Sequence, residues 1–239
     1  MAHVLKNSRR RLLSDQKVKS KLMKYLIYAT GEIILVVIGI LIAIQINDWN
    51  NDRLENEQGL KIYRNIRDQI IDDANELNKV KDFNGFYLGQ YVYANELISR
   101  GDRTEIDTLA VMAMGLSQYS NFDRNANIYE TLVNSGELKL VKNSEVTRRL
   151  QKLEMTYNRI NKLEDIHWEI IINELSPELK GVIRYADMSI VKPQVLYSVE
   201  LQNIFIESIF LNKGKEQVYE QALADIDSLV LVIDSELQQ

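Results

Sequence analysis

The chain has 239 residues and a formal net charge of −5 at pH 7. It contains no cysteine, which excludes disulfide bonds, thiolate metal sites and thiol catalysis. The acidic balance disfavours nucleic acid as a partner.

The first 24 residues form a strongly basic tail. It holds one acid, Asp15, against eight basic residues: Lys6, Arg9, Arg10, Arg11, Lys17, Lys19, Lys21 and Lys24. In residues 47–239, by contrast, acidic side chains outnumber basic ones. Because basic flanks stay on the cytoplasmic side of a membrane, we expect residues 1–24 to be a cytoplasmic tail and residues 47–239 to be extracytoplasmic.

Residues 25–46 are an almost unbroken apolar run, YLIYATGEIILVVIGILIAIQI. At about 1.5 Å per residue, a helix of this length crosses a hydrocarbon core of about 30 Å. The run is longer than the roughly 7–15 residues of a signal-peptide core, and no small-x-small cleavage site follows it. We therefore predict a retained transmembrane helix, with the lipid bilayer as its partner. Tyr25 and Tyr28 at one end and Trp49 at the other are the expected interfacial anchors.

An acid lies inside this predicted span. Glu32 shares one helix face with Ala29, Val36, Gly39 and Ala43, and the last two form a small-xxx-small pattern that lets helices approach closely. An intramembrane acid is costly and indicates a functional site. Three interpretations stay open. Glu32 is protonated or reaches toward the head groups, it lies in a contact with a second copy or another membrane protein, or it takes part in ion conduction, as in the stator subunits of similar topology.

After the span, apolar residues recur every three or four positions, which predicts helices. The predicted helices cover residues 50–81, 84–100, 105–117, 126–134, 143–174, 195–212 and 215–237, with a loop at 118–125 and another helix start at Ser176. Gly101, Gly136 and Pro193 are stop or break signals, and Asn143 or Ser144 is a cap. Residues 229–233 also fit a short strand, although the flanking spacing favours helix. We expect an all-α protein: an N-terminal transmembrane helix followed by one helical bundle domain.

Few residues indicate chemistry. Glu164 and His167 have the spacing of a helical di-iron motif, but such a site needs two of these motifs and the only other histidine is His3. We therefore expect no metal and no cofactor, and we interpret His167 as a structural or surface residue. The sequence has no nucleophile elbow and no Gly-rich phosphate loop, so we do not expect an enzyme. We expect a group of aromatic residues to pack between helices: Phe83, Phe86, Tyr87, Tyr91 and Tyr93.

Two segments carry a family resemblance. GEIILVVIGILIAIQINDWN follows a basic stretch that ends SKLMKYLIYAT, and residues 128–151 read IYETLVNSGELKLVKNSEVTRRLQ. Together they resemble an uncharacterised family of Bacteroidota membrane proteins, known as a domain of unknown function. The resemblance implies a single-pass inner-membrane protein with a helical periplasmic domain, and it implies no activity.

Two classes of function remain. The first is a membrane-anchored scaffold or interaction protein that self-associates through its transmembrane helix or binds another membrane protein. The second is an extracytoplasmic sensor or ligand-binding bundle, which would need a separate output partner because 24 cytoplasmic residues are too few to fold a domain. A groove between helices would favour the second class, and a stator-like ion-coupled subunit is the weakest alternative.

Overall fold

The computed structural model describes residues 2–124 and 127–238. The side chains of residues 2–22, 24, 26 and 27 lie outside this description. The basic side chains counted in the tail, His3 and the predicted helix start at position 126 are therefore outside the described residues.

The described residues fold almost entirely as helices, and the predicted all-α class is confirmed. The α-helices are α1 (Ala2–Arg100), α2 (Ile106–Gly115), α3 (Ile128–Ser135), α4 (Ser144–Ile170), α5 (Ser176–Leu179) and α6 (Val199–Leu237). Short 3-10 turns lie at Glu137–Leu140 and Val195–Tyr197, and a π turn at Ile171–Leu175 links α4 to α5. The exception is a ribbon of two antiparallel strands, β1 (Ile183–Arg184) and β2 (Ser189–Ile190), in which Ile183 pairs with Ile190.

The chain divides into two units, Met1–Glu57 and Gln58–Gln239. In the first unit, every side chain from residue 28 to residue 57 is exposed. The large aliphatic ones are exposed as well, from 43% at Leu54 to 73% at Leu35. Among the described residues, one helix is long and apolar enough to cross a membrane, and the mean hydropathy of its most apolar 18 residues is 2.4.

The second unit has two apolar cores. In the first, the later part of α1 packs with α4 and α6 through residues spaced as amphipathic helices require: Ile66, Ile70, Leu77, Leu150, Leu153, Ile160, Ile226 and Leu229. In the second, the end of α1 packs with α2, α6 and the segment around β1. Its largest fully buried side chains are Tyr91 and Phe205. The periodic face predicted for residues 50–81 is therefore the face that is buried.

Several predicted helix ends are confirmed. Gly101 follows the end of α1 with φ 64°, and Gly136 ends α3 with φ 73°, a left-handed conformation that glycine adopts without strain. Asn143 caps α4, since its side-chain oxygen accepts a hydrogen bond of 2.8 Å from the peptide N–H of Glu145. Residues 229–233 are helical within α6.

Other predicted breaks are wrong. α1 continues through residues 82–83, because Asn84 is buried there and its amide donates to the Asn212 carbonyl over 3.0 Å. α6 continues through Gly214, because the lysine that follows is a buried residue rather than a loop residue. The helix start predicted at Ser176 is confirmed, since α5 begins there, but Ser176 is not its cap, because the backbone continues from α4 through the π turn without a break. Of the predicted aromatic packing group, Tyr91 is buried but Phe86 is 61% exposed.

The close approach of α1 to the turn before α4 gives a testable prediction. A Cβ added at Gly59 would lie 2.9 Å from the carbonyl oxygen of Leu140, closer than real contacts allow. We expect Gly59→Ala to destabilise the second unit by about 1 kcal/mol, or a fall in Tm of about 2–4 °C, measured by thermal unfolding of the detergent-solubilised protein.

The matched control is Gly89→Ala, at an exposed position of the same helix where a Cβ meets nothing within 4 Å. Alanine has a higher helix propensity than glycine, by about 1 kcal/mol, so this variant should be more stable than the wild type. Equal effects of the two substitutions would contradict the contact at Gly59.

Candidate functional site

The residues predicted to form an interface within the span are all exposed on α1. They are Ala29, Glu32, Val36, Gly39 and Ala43. Three of them, together with Ile33 and Val37, line one shallow groove along the helix. A Cβ added at Gly39 meets nothing within 4 Å, so a second helix could approach this face closely. Its role as an interface stays a prediction.

The side chains of the predicted interfacial anchors are also exposed. Tyr25 is 81% exposed, Tyr28 is 80% exposed and Trp49 is 67% exposed. Large aromatic side chains with a polar group are suited to the boundary between lipid and water. Their exposure is compatible with anchoring, which stays a prediction.

The second unit contains a feature that the sequence did not reveal, a cluster of polar side chains in its interior. This buried polar cluster consists of Ser120, Glu164, His167, Lys215 and Tyr219, and none of the five is more than 3% exposed. α4 supplies Glu164 and His167 three residues apart, and α6 supplies Lys215 and Tyr219 four residues apart. Each spacing places both side chains on one helix face. Ser120 comes from the loop between α2 and α3.

The cluster forms one continuous hydrogen-bonded chain. The Nζ of Lys215 lies 2.6 Å from the Oγ of Ser120. This hydroxyl lies 2.9 Å from the hydroxyl of Tyr219, which donates to Oε1 of Glu164 over 2.9 Å. The peptide N–H of Phe122 donates to the same carboxylate oxygen, also over 2.9 Å. With Lys215 charged, the hydrogens run from the amine through Ser120 and Tyr219 toward Glu164, and Oδ1 of Asn84 is a second, more distant acceptor for the Ser120 hydroxyl at 3.5 Å.

Burial brings the pKa values of Glu164 and Lys215, the two ends of the hydrogen-bonded chain, closer together. It raises the pKa of Glu164 to about 7, against the bonds from Tyr219 and Phe122 and the charge of Lys215. It lowers the pKa of Lys215 to about 8, against the charge of Glu164. Desolvation penalises whichever form is charged, which is why the carboxyl and the amine move in opposite directions. Both groups therefore titrate near neutral pH.

His167 extends the cluster on the other side of Lys215. Its Nδ1 lies 2.9 Å from the Nζ, and burial together with the Lys215 charge lowers the pKa of the ring to about 3. The imidazole is therefore neutral. With Nδ1 accepting from the lysine, Nε2 carries the hydrogen, and this atom meets no hydrogen-bond partner among the described residues. The surface interpretation of His167 is wrong, since the residue is 1% exposed.

A groove of about 310 Å³ adjoins the cluster. We call it the Ser120 groove. One side is the α1 face formed by Glu76, Lys79, Val80 and Phe83, and the other is the loop segment Tyr119, Ser120 and Asn121. The Tyr119 ring also contacts the His167 ring edge-on, with 6.0 Å between centroids. Ser120 is thus the cluster member that lines the groove.

The structure assigns Glu164 and His167 to other partners than a metal. Their polar atoms bond Tyr219, Phe122 and Lys215. Within residues 2–124 and 127–238, no group of three or more His, Asp or Glu side chains is placed to hold a metal ion. What the cluster offers chemically is a hydroxyl beside an amine, with a second hydroxyl and a carboxyl next in line.

The fold and these two regions define a helical protein with one apolar helix of membrane-spanning length. A family of unknown function, DUF6090, matches residues 32–211. The chain belongs to this family, which confirms the resemblance at the level of a family of unknown function. The match begins at Glu32 and includes all of residues 128–151. No curated protein and no solved structure matches the chain.

The raised pKa of Glu164 predicts a pH dependence of stability. Between about pH 4.5 and pH 7 the folded protein keeps this carboxyl protonated, whereas the unfolded chain ionises it. The unfolded state then binds fewer protons, so the Glu164 contribution to stability falls as pH rises through this window. Glu164→Gln cannot ionise. We expect this fall to be absent in the variant, a difference of up to about 3 kcal/mol across the window.

The measurement is Tm against pH for the full-length protein in detergent, taken as the difference between wild type and variant. His167 has a lowered pKa in the folded state and contributes to both curves, so its effect cancels. Glu169→Gln, at an exposed position of α4, is the control and should keep the wild-type slope. Parallel curves for wild type and Glu164→Gln would contradict the prediction.

Proposed function

We propose that this protein is a membrane-anchored helical scaffold or interaction protein. In this proposal residues 25–46 cross the inner membrane once, the amino terminus is cytoplasmic, and residues 47–239 form a periplasmic helical domain. The observation that carries the proposal is the exposure of every large apolar side chain from Ile33 to Ile46.

The argument for the membrane is energetic. Covering one large aliphatic side chain is worth about 1.5–3 kcal/mol, and residues 33–46 expose eleven large hydrophobic side chains without a covering element in the first unit. Soluble monomers rarely expose a continuous apolar surface larger than a few hundred Å². A hydrocarbon core covers such a helix on every side, and the helix satisfies its own backbone hydrogen bonds.

The orientation rests on charge. The tail before the span is strongly basic and the sequence after it is acidic, and positively charged flanks are retained in the cytoplasm. The resemblance to Bacteroidota membrane proteins supports the inner membrane as the location and the periplasm as the compartment of the helical domain.

Because the chain has no cysteine, single introduced cysteines test this topology. Asn7→Cys reports on the tail and Met155→Cys on an exposed site of the second unit, where methionine is 73% exposed. In bacterial cells with a permeabilised outer membrane, an impermeant maleimide should label position 155 at once. It should label position 7 only after lysis. Labelling of position 7 in intact cells would reverse the proposed orientation.

Self-association is proposed through the face of the span that contains Glu32. Small residues at positions 39 and 43 allow two backbones to approach, and the gain in packing drives association where no hydrophobic effect operates between helices. An acid exposed to lipid at position 32 costs free energy that a polar contact across such an interface would lower. One face therefore combines a reason for close approach with a reason for polar pairing.

Oxidative cross-linking tests this interface. Gly39→Cys places the single thiol on the proposed contact, and Leu41→Cys places it on the opposite side of the same helix. In native membranes treated with a mild oxidant, we expect a disulfide-linked dimer at position 39 and much less at position 41. Equal yields at the two positions, or no dimer at position 39 in membrane-integrated protein, would contradict the interface.

A second candidate function is favoured by the Ser120 groove. A sensor or ligand-binding bundle needs a concave site with a few polar groups among apolar walls. The lining of the groove supplies this combination, with Val80, Phe83 and Tyr119 beside the polar residue Ser120. Its volume of about 310 Å³ suits a small molecule.

A further inference from the structure

The buried polar cluster has an unusual feature for a buried cation. Buried lysines generally pair with a carboxylate. Among the described residues, however, the hydrogen-bond partners of the Lys215 Nζ are the Ser120 hydroxyl and the His167 imidazole. Glu164, whose charge acts on the amine, is separated from it by two hydroxyls. This lysine is therefore directed at a serine.

We propose that Ser120 is a nucleophile and Lys215 its general base, in a site that hydrolyses a small ester or related acyl compound held in the Ser120 groove. The proposal rests on the second candidate function, since the groove must admit a small molecule. It goes beyond that function by assigning a reaction, a substrate class and the two residues that perform it.

The contact has the geometry that an activated serine requires. A base must lie within hydrogen-bond reach of the hydroxyl proton, about 2.6–3.2 Å, and the Nζ lies 2.6 Å from Oγ. When the amine is neutral, the serine hydroxyl donates to Nζ, and a hydrogen of Nζ goes to Nδ1 of His167. The Tyr219 hydroxyl then donates to Oγ and a protonated Glu164 carboxyl donates to Tyr219, so the same heavy-atom positions serve both protonation states of the lysine.

The amine also has the proton affinity of a base. An ordinary lysine is protonated at neutral pH and cannot accept a proton. Burial lowers the pKa of Lys215 to about 8, so a substantial fraction is neutral near physiological pH. General bases work best when their pKa lies near the working pH.

The groove defines the class of substrate. Val80, Phe83 and Tyr119 give it apolar walls, and Lys79 and Asn121 add polar groups. A volume of about 310 Å³ fits a short acyl group rather than a long chain. Lys79 is paired with Glu76 at 3.1 Å on the same lining, so the two charges offset each other and the groove suits an uncharged substrate.

The reaction balances with water as the second reactant. Lys215 takes the proton of the Ser120 hydroxyl while Oγ bonds to the carbonyl carbon. The bond from that carbon to the leaving oxygen then breaks, and the leaving group takes the proton from Lys215. Water, deprotonated by the same amine, next attacks the acyl-serine, which releases the acid and returns the proton to Oγ. No metal or redox reagent enters these steps.

Covalent labelling of the full-length protein in detergent tests the proposal. Diisopropyl fluorophosphate is a small probe that bonds to an activated serine oxygen with loss of fluoride, and intact mass reports the adduct. We expect one adduct on the wild type, none on Ser120→Ala, and an unchanged rate on Ser117→Ala. Ser117 lies in the same segment, and its hydroxyl donates only to the Met114 carbonyl among the described residues.

Two substitutions separate the role of Lys215 as a general base from the effect of its positive charge. Lys215→Arg keeps the positive charge, but arginine does not lose its proton in proteins, so labelling should fall at least 100-fold. Lys215→Met removes both the base and the positive charge, and it should lower the labelling rate as much as Lys215→Arg does. Far-ultraviolet circular dichroism checks that each variant is folded.

The pH dependence of labelling gives a further test. For the wild type, the labelling rate should rise about tenfold per pH unit below pH 8 and level off above it, since only the neutral amine acts as base. A labelling rate independent of pH and of Lys215 would overturn the proposal.

Ser120→Cys distinguishes a failure of the proposed nucleophile from a failure of the groove to admit small molecules. If iodoacetamide alkylates this cysteine but leaves Ser208→Cys, at a serine only 1% exposed and outside the groove, then small molecules reach position 120. Absence of the phosphoryl adduct on wild type would then overturn the nucleophile alone. If Ser120→Cys also resists alkylation, the groove is closed to small molecules and the second candidate function fails with the nucleophile.

Discussion

The burial of one lysine constrains the helical domain more than any other contact. The side chain of Lys215 is fully buried, and removing an ammonium group from water costs several kcal/mol unless polar partners replace the lost hydration. Those partners come from α4 and from the loop between α2 and α3, while Lys215 itself lies on α6. The register of α4 against α6 and the path of the loop are therefore set together. A shift of either helix by one residue would leave an amine or a carboxyl unpaired in the core.

The first unit is constrained in the opposite way. Its described side chains have no core of their own, and the apolar ones between Ile33 and Ile46 are exposed along a single helix. The helical domain satisfies buried polar groups with other protein groups, whereas this helix has apolar groups that protein does not cover. In the proposed topology, two different surroundings, protein interior and lipid, account for the two kinds of sequence in one chain.

The sequence predicted the features that arise from local patterns. The apolar run, the periodic faces of α1, α4 and α6, and the glycine ends at positions 101 and 136 depend on residues close together in the chain. The wrong breaks depend on distant residues. In the sequence Asn84 and Lys215 look like the first residues of new helices. In the structure the Asn84 amide donates to the Asn212 carbonyl, and α4 and the loop before α3 surround Lys215 within an unbroken α6.

The buried polar cluster was missed for the same reason. Ser120 and Lys215 are 95 residues apart in sequence, and neither belongs to a motif with fixed spacing. The sequence has no nucleophile elbow and His3 is its only other histidine, but a serine paired with a lysine needs neither feature. A local signal exists in the spacing of Glu164 and His167. That spacing lacks the second motif of a di-iron site, and in the structure it directs both side chains to the place where α6 supplies the lysine.

The buried polar cluster is also expected to stabilise the core less than apolar side chains of the same volume would. Apolar residues of similar volume often replace buried ionic networks without loss of stability, and leucines between α4 and α6 would pack without the orphaned Nε2 of His167 or the opposing shifts in pKa. Polar groups that cost stability tend to be kept where they perform a task. Here the cost is concentrated next to the one cluster member that lines a groove, Ser120. The Tyr157 hydroxyl, by comparison, donates directly to buried Asp73 over 3.0 Å and completes a closed contact within the first core. The difference between a closed polar contact and one that reaches a groove is the physical reason to seek chemistry at Ser120.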